Sequence, residues 1–355
     1  MDASRFSATK LEQPIVQAPM AGGPSTPALA AAVSGAGGLG FLGAGYKKVD
    51  AVAADIEAVQ QLTDRPFGIN LFAPPGAPAD EAQLQRYAAS LCDEAERYGV
   101  QPGAPSHDDD GWADKLALVT EQRVGVVSFT FGCPPPATIA TLQAAGIAAW
   151  VTVTTAAEAV TAVRAGADAL VVQGNEAGGH RGSFDDAAPG QVGLLALLQL
   201  VQAAVEVELV ATGGIATGRG VAAVLAAGAC AAQLGTAFML STEAGTSAAH
   251  REALASEAET ALTRAFTGRT ARGLVNRFMT EHGDDAPPGY PEVHYMTAPL
   301  RAVARERGDA EGINLWAGQA HALAPELPAA EIVAVLGAEA RAALREAADR
   351  SGPQG

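Results

Sequence analysis

Short apolar runs ending in turn-forming residues alternate along the chain with Ala-rich stretches of helical character. The runs that read as buried strands are Ile15–Met20, Gly38–Leu42, Phe67–Leu71, Val124–Thr130, Ala148–Val153, Ala169–Gln173, Glu208–Thr212 and Ala231–Phe238. Between them, Pro27–Ser34, Val49–Leu62, Pro136–Ala145, Ala156–Ala165, Val192–Val205 and Gly218–Ala227 read as helices. Eight β units joined by helical crossovers predict an α/β fold, a (β/α)8 TIM barrel in preference to an open doubly wound sheet.

The spacing breaks once. Pro74–Gln122 carries Ala79–Arg97 as a helix and then a Pro/Gly/Asp-rich loop, so residues 74–122 read as an excursion from the barrel. After the eighth strand, Ser241–Arg264 reads as helices, Thr267–Phe278 as irregular chain, and Pro287–Pro291 as a breaker cluster. Ala298–Arg307, Leu315–Leu323 and Ala329–Asp349 read as terminal helices, with Ser351–Gly355 a frayed tail. The expected division is a barrel domain over 1–240, a smaller, mostly helical substrate or lid domain over 241–314, and helices over 315–355 returning to the barrel.

Composition narrows the function. The chain has 355 residues, with 23 Lys and Arg against 39 Asp and Glu, a formal charge of −16. That charge argues against nucleic acid or an anionic membrane as partner and leaves small molecules. Apolar residues make up 48% and charged residues only 17%, so the chain is globular and deeply buried rather than disordered. Aromatics are only 5% while glycines number 40, which suits close backbone packing and tight loops. Cys92, Cys133 and Cys230 show no C-x-x-C spacing, so neither a disulfide framework nor a thiolate zinc site is expected. A cytoplasmic location fits that usage, and Met1–Ser7 lacks the apolar core of a signal peptide. Val221–Phe238 is too rich in Ala and Gly to read as a membrane span.

Two motifs are decoys. Gly35-Ala36-Gly37-Gly38-Leu39-Gly40 matches G-x-G-x-x-G, but a helix precedes it and a strand overlaps it, the reverse of a dinucleotide fingerprint. His107-Asp108-Asp109-Asp110-Gly111 resembles a calcium loop, yet in that register Ala117 would stand where the bidentate Glu belongs, so it reads as a solvated loop.

Other motifs fall where a barrel keeps its chemistry, at the ends of strands. The seventh strand runs into Thr212-Gly213-Gly214-Ile215 and the eighth ends in Gln233-Leu234-Gly235-Thr236, two small-residue turns suited to a phosphate. The sixth strand ends in Gln173-Gly174-Asn175-Glu176-Ala177-Gly178-Gly179-His180-Arg181-Gly182, where His180 is the candidate for proton transfer or anion stabilisation. Arg181 is either an anion partner or a surface charge. Met20, Ala21 and Gly22 bring backbone to the first strand's end, and Ser25 or Thr26 caps the next helix. Asn70 is either a cap or, with Gln173 and Gln233, an inward amide. Three inward amides beside a phosphate turn suit a nucleotide-like cofactor with a polar ring, FMN.

These stretches, with Ser128-Phe129-Thr130-Phe131-Gly132 and Trp316-Ala317-Gly318-Gln319, resemble the nitronate monooxygenase family, formerly 2-nitropropane dioxygenases, and within it class I. The resemblance implies an FMN enzyme oxidising alkyl nitronates such as propionate 3-nitronate with O2 to a carbonyl compound and nitrite, through a flavin semiquinone. It implies His180 as catalytic residue, and Met20, Ala21, Gly22, Asn70 and Gln173 as flavin contacts. Gly178, Gly179, Gly213, Gly214, Gln233, Gly235 and Thr236 would hold its ring or phosphate. Tyr290 and Tyr295 would stand near the substrate or else form lid core. Nitronate and O2 are the implied partners, for a monomer or homodimer. An NAD(P)H-dependent flavin reductase of the enoyl-ACP or quinone reductase kind is the alternative, and a flavin-free phosphate-binding isomerase or lyase a third. If FMN and nitronate are both anions, the site must be locally positive, through backbone N–H groups, Arg181 and Lys47 or Lys48.

Overall fold

The computed structural model describes residues 5–351; the expectations for Met1–Ser4 and for the tail after Ser351 lie outside the described residues. In chain order the barrel half contains β1 (Ile15–Gln17), α1 (Pro27–Gly35), β2 (Phe41–Gly43), α2 (Val49–Leu62) and β3 (Gly68–Phe72). The excursion follows as α3 (Glu81–Ser90), α4 (Cys92–Tyr98) and α5 (Trp112–Gln122). Then come β4 (Val126–Thr130), α6 (Pro136–Ala144), β5 (Ala148–Val153), α7 (Ala156–Ala165), β6 (Ala169–Gln173) and a two-residue strand, β7 (Gly179–His180). The barrel closes with α8 (Leu194–Ala204), β8 (Glu208–Thr212), α9 (Gly218–Ala226) and β9 (Ala231–Leu234). Beyond it lie α10 (Ala248–Leu254), β10 (Thr260–Thr263), β11 (Ala271–Leu274), α11 (Arg277–His282), α12 (Glu292–Glu306) and α13 (Ala329–Ser351).

Eight parallel strands pair in the order β1-β9-β8-β6-β5-β4-β3-β2. The remaining seam is joined by a parallel bridge between Val16 and Leu39, with Leu39 N donating to Ile15 O at 3.0 Å and Gln17 N to Leu39 O at 2.9 Å. The sequence is therefore a (β/α)8 TIM barrel.

Side-chain alternation along each strand assigns two roles. Val127, Ala149, Val151, Leu170, Val172 and Ala211 belong to the cluster packed under the helices. Their neighbours Val126, Ala148, Trp150, Ala169, Val171 and Val210 fill the barrel interior, where Trp150 meets Phe41 at 5.7 Å and Phe6 at 6.1 Å. Continuing the inward series by twos toward the C-terminal ends gives Ser128 and Thr130, Thr152, Gln173 and Thr212. The interior thus changes from apolar to polar at the mouth, on the parity of the strands alone.

A second apolar cluster sits apart from both. It joins Leu84, Tyr87 and Tyr98 of the excursion helices to Phe266, Phe278, Val293, Met296 and Leu300. Inside it, Glu94 is fully buried, with Arg277 Nη2 donating to its Oε2 at 2.9 Å. α13 instead returns to the barrel, placing Ile332, Val333 and Leu336 in the cluster under the helices.

Several local expectations are corrected. Ser241–Arg264 is not all helix and Thr267–Phe278 is not irregular, because β10 and β11 form an antiparallel pair within them, and β11 also pairs with β7. β11 is held by β7, distant in sequence, and β10 pairs in turn with β11, neither of which local periodicity registers. Leu315–Leu323 is extended chain ending in one 3-10 turn, with Trp316 bridged to Gly273. α12 starts at Glu292, ahead of the expected Ala298, and tolerates Pro299 in its interior. The Ala79–Arg97 helix breaks at Leu91 into α3 and α4.

The G-x-G-x-x-G run is a packing device. A Cβ on Gly40 would lie 2.0 Å from Ala30 O, so the glycine lets α1 press onto the strand. Gly40→Ala should lower stability by about 1–3 kcal/mol, the usual cost of overpacking, read as a lower thermal midpoint. An unchanged midpoint would contradict this packing.

Candidate active site

The mouth is built from tied-down loops. After β1, Gln17 Nε2 donates to Ser25 Oγ at 2.9 Å, and Met20 N donates to the same oxygen at 2.8 Å. Thr26, not Ser25, caps α1, accepting from Leu29 N at 3.0 Å. Gly22 and Gly23 take φ values of +85° and +135°, which a side chain would oppose.

After β6, the chain makes a loop and returns as β7, with His180 opposite Ala271 and Gly179 opposite Arg272. Gln173 fastens this loop from inside, donating to His180 O at 3.1 Å and accepting from Gly182 N at 2.8 Å. Arg181 is neither a surface charge nor an anion partner. It is 1% exposed and turned onto backbone carbonyls, Gln173 O at 3.2 Å and Gly190 O at 2.9 Å among them.

All twelve cofactor candidates, Met20, Ala21, Gly22, Asn70, Gln173, Gly178, Gly179, Gly213, Gly214, Gln233, Gly235 and Thr236, line one cavity of 300 Å³ together with His180. Asn70 is not a helix cap: its Nδ2 donates to Ser128 Oγ and Thr130 Oγ1, both at 2.9 Å. Thr236 Oγ1 accepts from Gly318 N at 3.0 Å, keeping its own proton to donate. A Cβ on Gly22 or Gly179 would meet nothing within 4 Å, so open space lies against both backbones. Thr246 also lines the cavity, its hydroxyl buried without a partner.

His180 is in a hydrophobic and positively charged setting. Its Nε2 lies 2.9 Å from Thr267 Oγ1. Burial first, and then the charges of Arg269 and Arg301, pull its pKa down to about 3, so the ring is neutral at pH 7. Its ring is packed edge-on by Trp316 at 5.4 Å and Phe131 at 5.6 Å, with Tyr290 at 6.0 Å. Arg269 lies over the other end of this wall, its guanidinium 4.1 Å from the Phe131 centroid.

Tyr290 does not line the main cavity; it borders a neighbouring one of 320 Å³ with Phe131 and Arg269. Tyr295 lines neither and sits beside Asp108 and His294. The positive residues also differ from expectation. Lys47 pairs with Asp55, leaving the buried Arg301 and the exposed Arg305 in the main cavity wall and Arg269 in that of the neighbouring cavity.

Sequence reasoning missed Tyr46, Phe131, Thr267, His294 and Arg301. Tyr46 and Phe131 hold φ values of +66° and +76°, rare for bulky residues and concentrated at functional sites. Tyr46 stacks on His294 at 4.0 Å and 5°. The acidic decoy loop holds this arrangement in place: Tyr46 N donates to Asp110 Oδ1 at 2.9 Å, and His107 meets Glu292 of α12 at 2.8 Å. His294, Thr297 and Arg301 follow i, i+3, i+7 spacing, a polar stripe that would have been readable had the helix been started at Glu292.

Comparison with known proteins places these features in context. The family model described as nitronate monooxygenase matches residues 4–339. A nitronate monooxygenase of Paraburkholderia phytofirmans is 43% identical over 346 residues, covering 95% of this chain and 94% of that one. The crystal structure of nitroalkane oxidase from Streptomyces ansochromogenes superposes with a TM-score of 0.92 at 50% identity, covering 96% of this chain and 99% of that one. FabK from Thermotoga maritima superposes with a TM-score of 0.76 at 29% identity, covering 96% and 97%.

Burial pulls three histidines down, His180 to about 3, His250 to about 4 and His294 to about 2. The unfolded chain takes protons near pH 6.5 while these native sites stay neutral, so stability should be full above that pH and fall as pH drops toward 4. Thermal midpoints measured from pH 8 to pH 4 test this, and His294→Gln should flatten the decline. A parent and variant falling in parallel would contradict it.

Proposed function

This chain belongs to the nitronate monooxygenase family and is an oxidoreductase of that kind, and we propose that it uses FMN and O2 to oxidise alkyl nitronates, such as propionate 3-nitronate, to a carbonyl compound and nitrite. The observation that carries the reading is one cavity that gathers His180, the twelve strand-end positions and the buried Arg301. An anionic substrate is favoured there, although the whole chain carries −16.

The residues fit a flavin mononucleotide. The open space against Gly22 and Gly179 would take a flat ring, which a Cβ at either position would obstruct. Asn70 and Gln233 would meet its polar edge, while Gln173 acts mainly by fastening the loop that carries His180. Gly213 and Gly214, with φ of +117° and +67°, and the free hydroxyl protons of Thr236 and Thr246 would hold the phosphate. When bound, FMN supplies the electron-accepting and oxygen-reactive chemistry.

The protein's own part is to bind, orient and keep the substrate ionised. Thr267 and the rings of Trp316, Phe131 and Tyr290 fix the His180 imidazole. That imidazole can hydrogen-bond a nitronate oxygen, and Arg269 and Arg301 favour the anion over its neutral conjugate acid. A second reading, oxidation of neutral nitroalkanes, is favoured by the similarity to a nitroalkane oxidase. It would require His180 to remove an α-proton, and a base whose pKa lies near 3 is poorly matched to that task. The weak basicity of His180 supports the nitronate reading.

Steady-state turnover of ethyl nitronate and of nitroethane separates the two readings. The nitronate should be oxidised with far higher kcat/KM. His180→Asn should keep the yellow colour while losing roughly 100-fold or more of nitronate turnover, the scale of a positioned acid–base or hydrogen-bonding group. Nitroethane consumed as fast as its nitronate, or flavin bleaching by NADPH alone, would overturn the reading.

A further inference from the structure

Arg301 stands out among the buried cations. It is 6% exposed, lies on α12 and lines the main cavity. Four contacts engage it, all with neutral groups. Nε donates to Thr297 Oγ1 at 3.0 Å and Nη1 to Asn314 Oδ1 at 3.3 Å. Nη2 donates to His294 O at 2.9 Å and lies 3.2 Å from His294 Nδ1. A guanidinium has five N–H donors, so one on Nη1 is left over. No carboxylate among the described residues lies within ion-pairing distance of it, and Arg305, one turn further along α12, adds a like charge.

The other buried arginines are accounted for differently. Arg181 and Arg272 are turned mainly onto backbone carbonyls, and neither lines the cavity. Arg269 stacks on Phe131 and faces the neighbouring cavity. Burying a charge without an opposite one is costly unless something supplies it, and Arg301 has its leftover donor in the wall of the substrate cavity. Asn314 lines the same cavity, and because its Oδ1 accepts from Arg301, its Nδ2 is oriented as a second donor nearby.

We propose that Arg301, with Asn314, is the anchor for a carboxylate carried on the tail of the substrate. This rests on the nitronate reading for the group at the other end. His180 and Arg301 line the same cavity, with His294 hydrogen-bonded to the arginine, so one ligand can present its nitronate to His180 and its carboxylate to Arg301. Arg301 is thus a specificity residue for ω-carboxylated nitronates over simple alkyl ones.

The test compares two substrates of equal chain length, propionate 3-nitronate and propyl 1-nitronate, in the parent, Arg301→Gln and Arg301→Lys. The ratio of their kcat/KM values should favour the carboxylate in the parent and fall roughly 10- to 150-fold in R301Q, the range for a charge-assisted hydrogen bond. The fall should reside in KM, with part of it regained in R301K. Calorimetric binding of 3-nitropropionate should weaken by the same factor, while FMN affinity of the apoprotein should be unaltered. An unchanged substrate ratio and unchanged 3-nitropropionate binding would overturn the proposal. A loss of FMN affinity in place of carboxylate discrimination would assign Arg301 to the phosphate and overturn it too. If neither nitronate is oxidised yet 3-nitropropionate binds in an Arg301-dependent way, the nitronate reading fails and the carboxylate anchor stands.

Discussion

Positive charge buried beside a neutral imidazole is the constraint on which the rest of this site depends. Arg269 and Arg301 are 7% and 6% exposed in a chain whose overall charge is −16, and neither has a carboxylate in ion-pair contact among the described residues. Such charges are expensive to desolvate and are tolerated where polar neighbours and a ligand of opposite sign compensate. Here the neighbours are backbone carbonyls, a threonine, an asparagine and a histidine, all neutral. What they cannot supply is negative charge. Burial first, and then the same two cations, hold His180 neutral, so the feature that attracts an anion also helps to set the state of the group that meets it.

The architecture around this pair keeps it rigid. His180 is held at both ends of its own short strand, by β11 across the ladder and by Gln173 from inside the barrel. α12 brings His294, Thr297 and Arg301 to the cavity on one face. It is tied to the excursion through Glu292 and His107, while Asp110 of the same acidic loop fixes Tyr46 against His294. Residues 103–111, which carry no chemistry of their own, thus position a substantial part of the cavity wall. The excursion helices complete that support by sharing an apolar cluster with Phe266, Val293 and Leu300.

Much of this was legible in the residues. The eight strands, most crossover helices and the strand-end loops follow from apolar runs and glycine placement, because both are local signals. The cavity gathers His180, Met20 and the eleven glycine, amide and small-residue positions at the ends of strands far apart in sequence. The inward threonines Thr130 and Thr152 were equally available, since they continue the alternation that puts Val126 and Trp150 inside. What local reasoning could not reach was non-local. β10 and β11 exist through pairing with each other and with β7, Tyr46 acquires its place through a left-handed backbone and a distant aspartate, and Arg181 looked like a site cation but is consumed by carbonyls. The positive field at the mouth comes instead from Arg269 and Arg301, which sit in a segment whose strand and helix boundaries were misplaced.

The chemistry of the site depends on the protonation state of one ring, and nitrogen-15 NMR of the imidazoles reads it directly. In protein labelled at histidine, with the His180 signals assigned by their loss in His180→Gln, the ring shifts of His180 should show a neutral imidazole and no titration between pH 5 and pH 9. Titration of that ring with an ordinary midpoint near 6.5 would contradict the buried-charge account of the site.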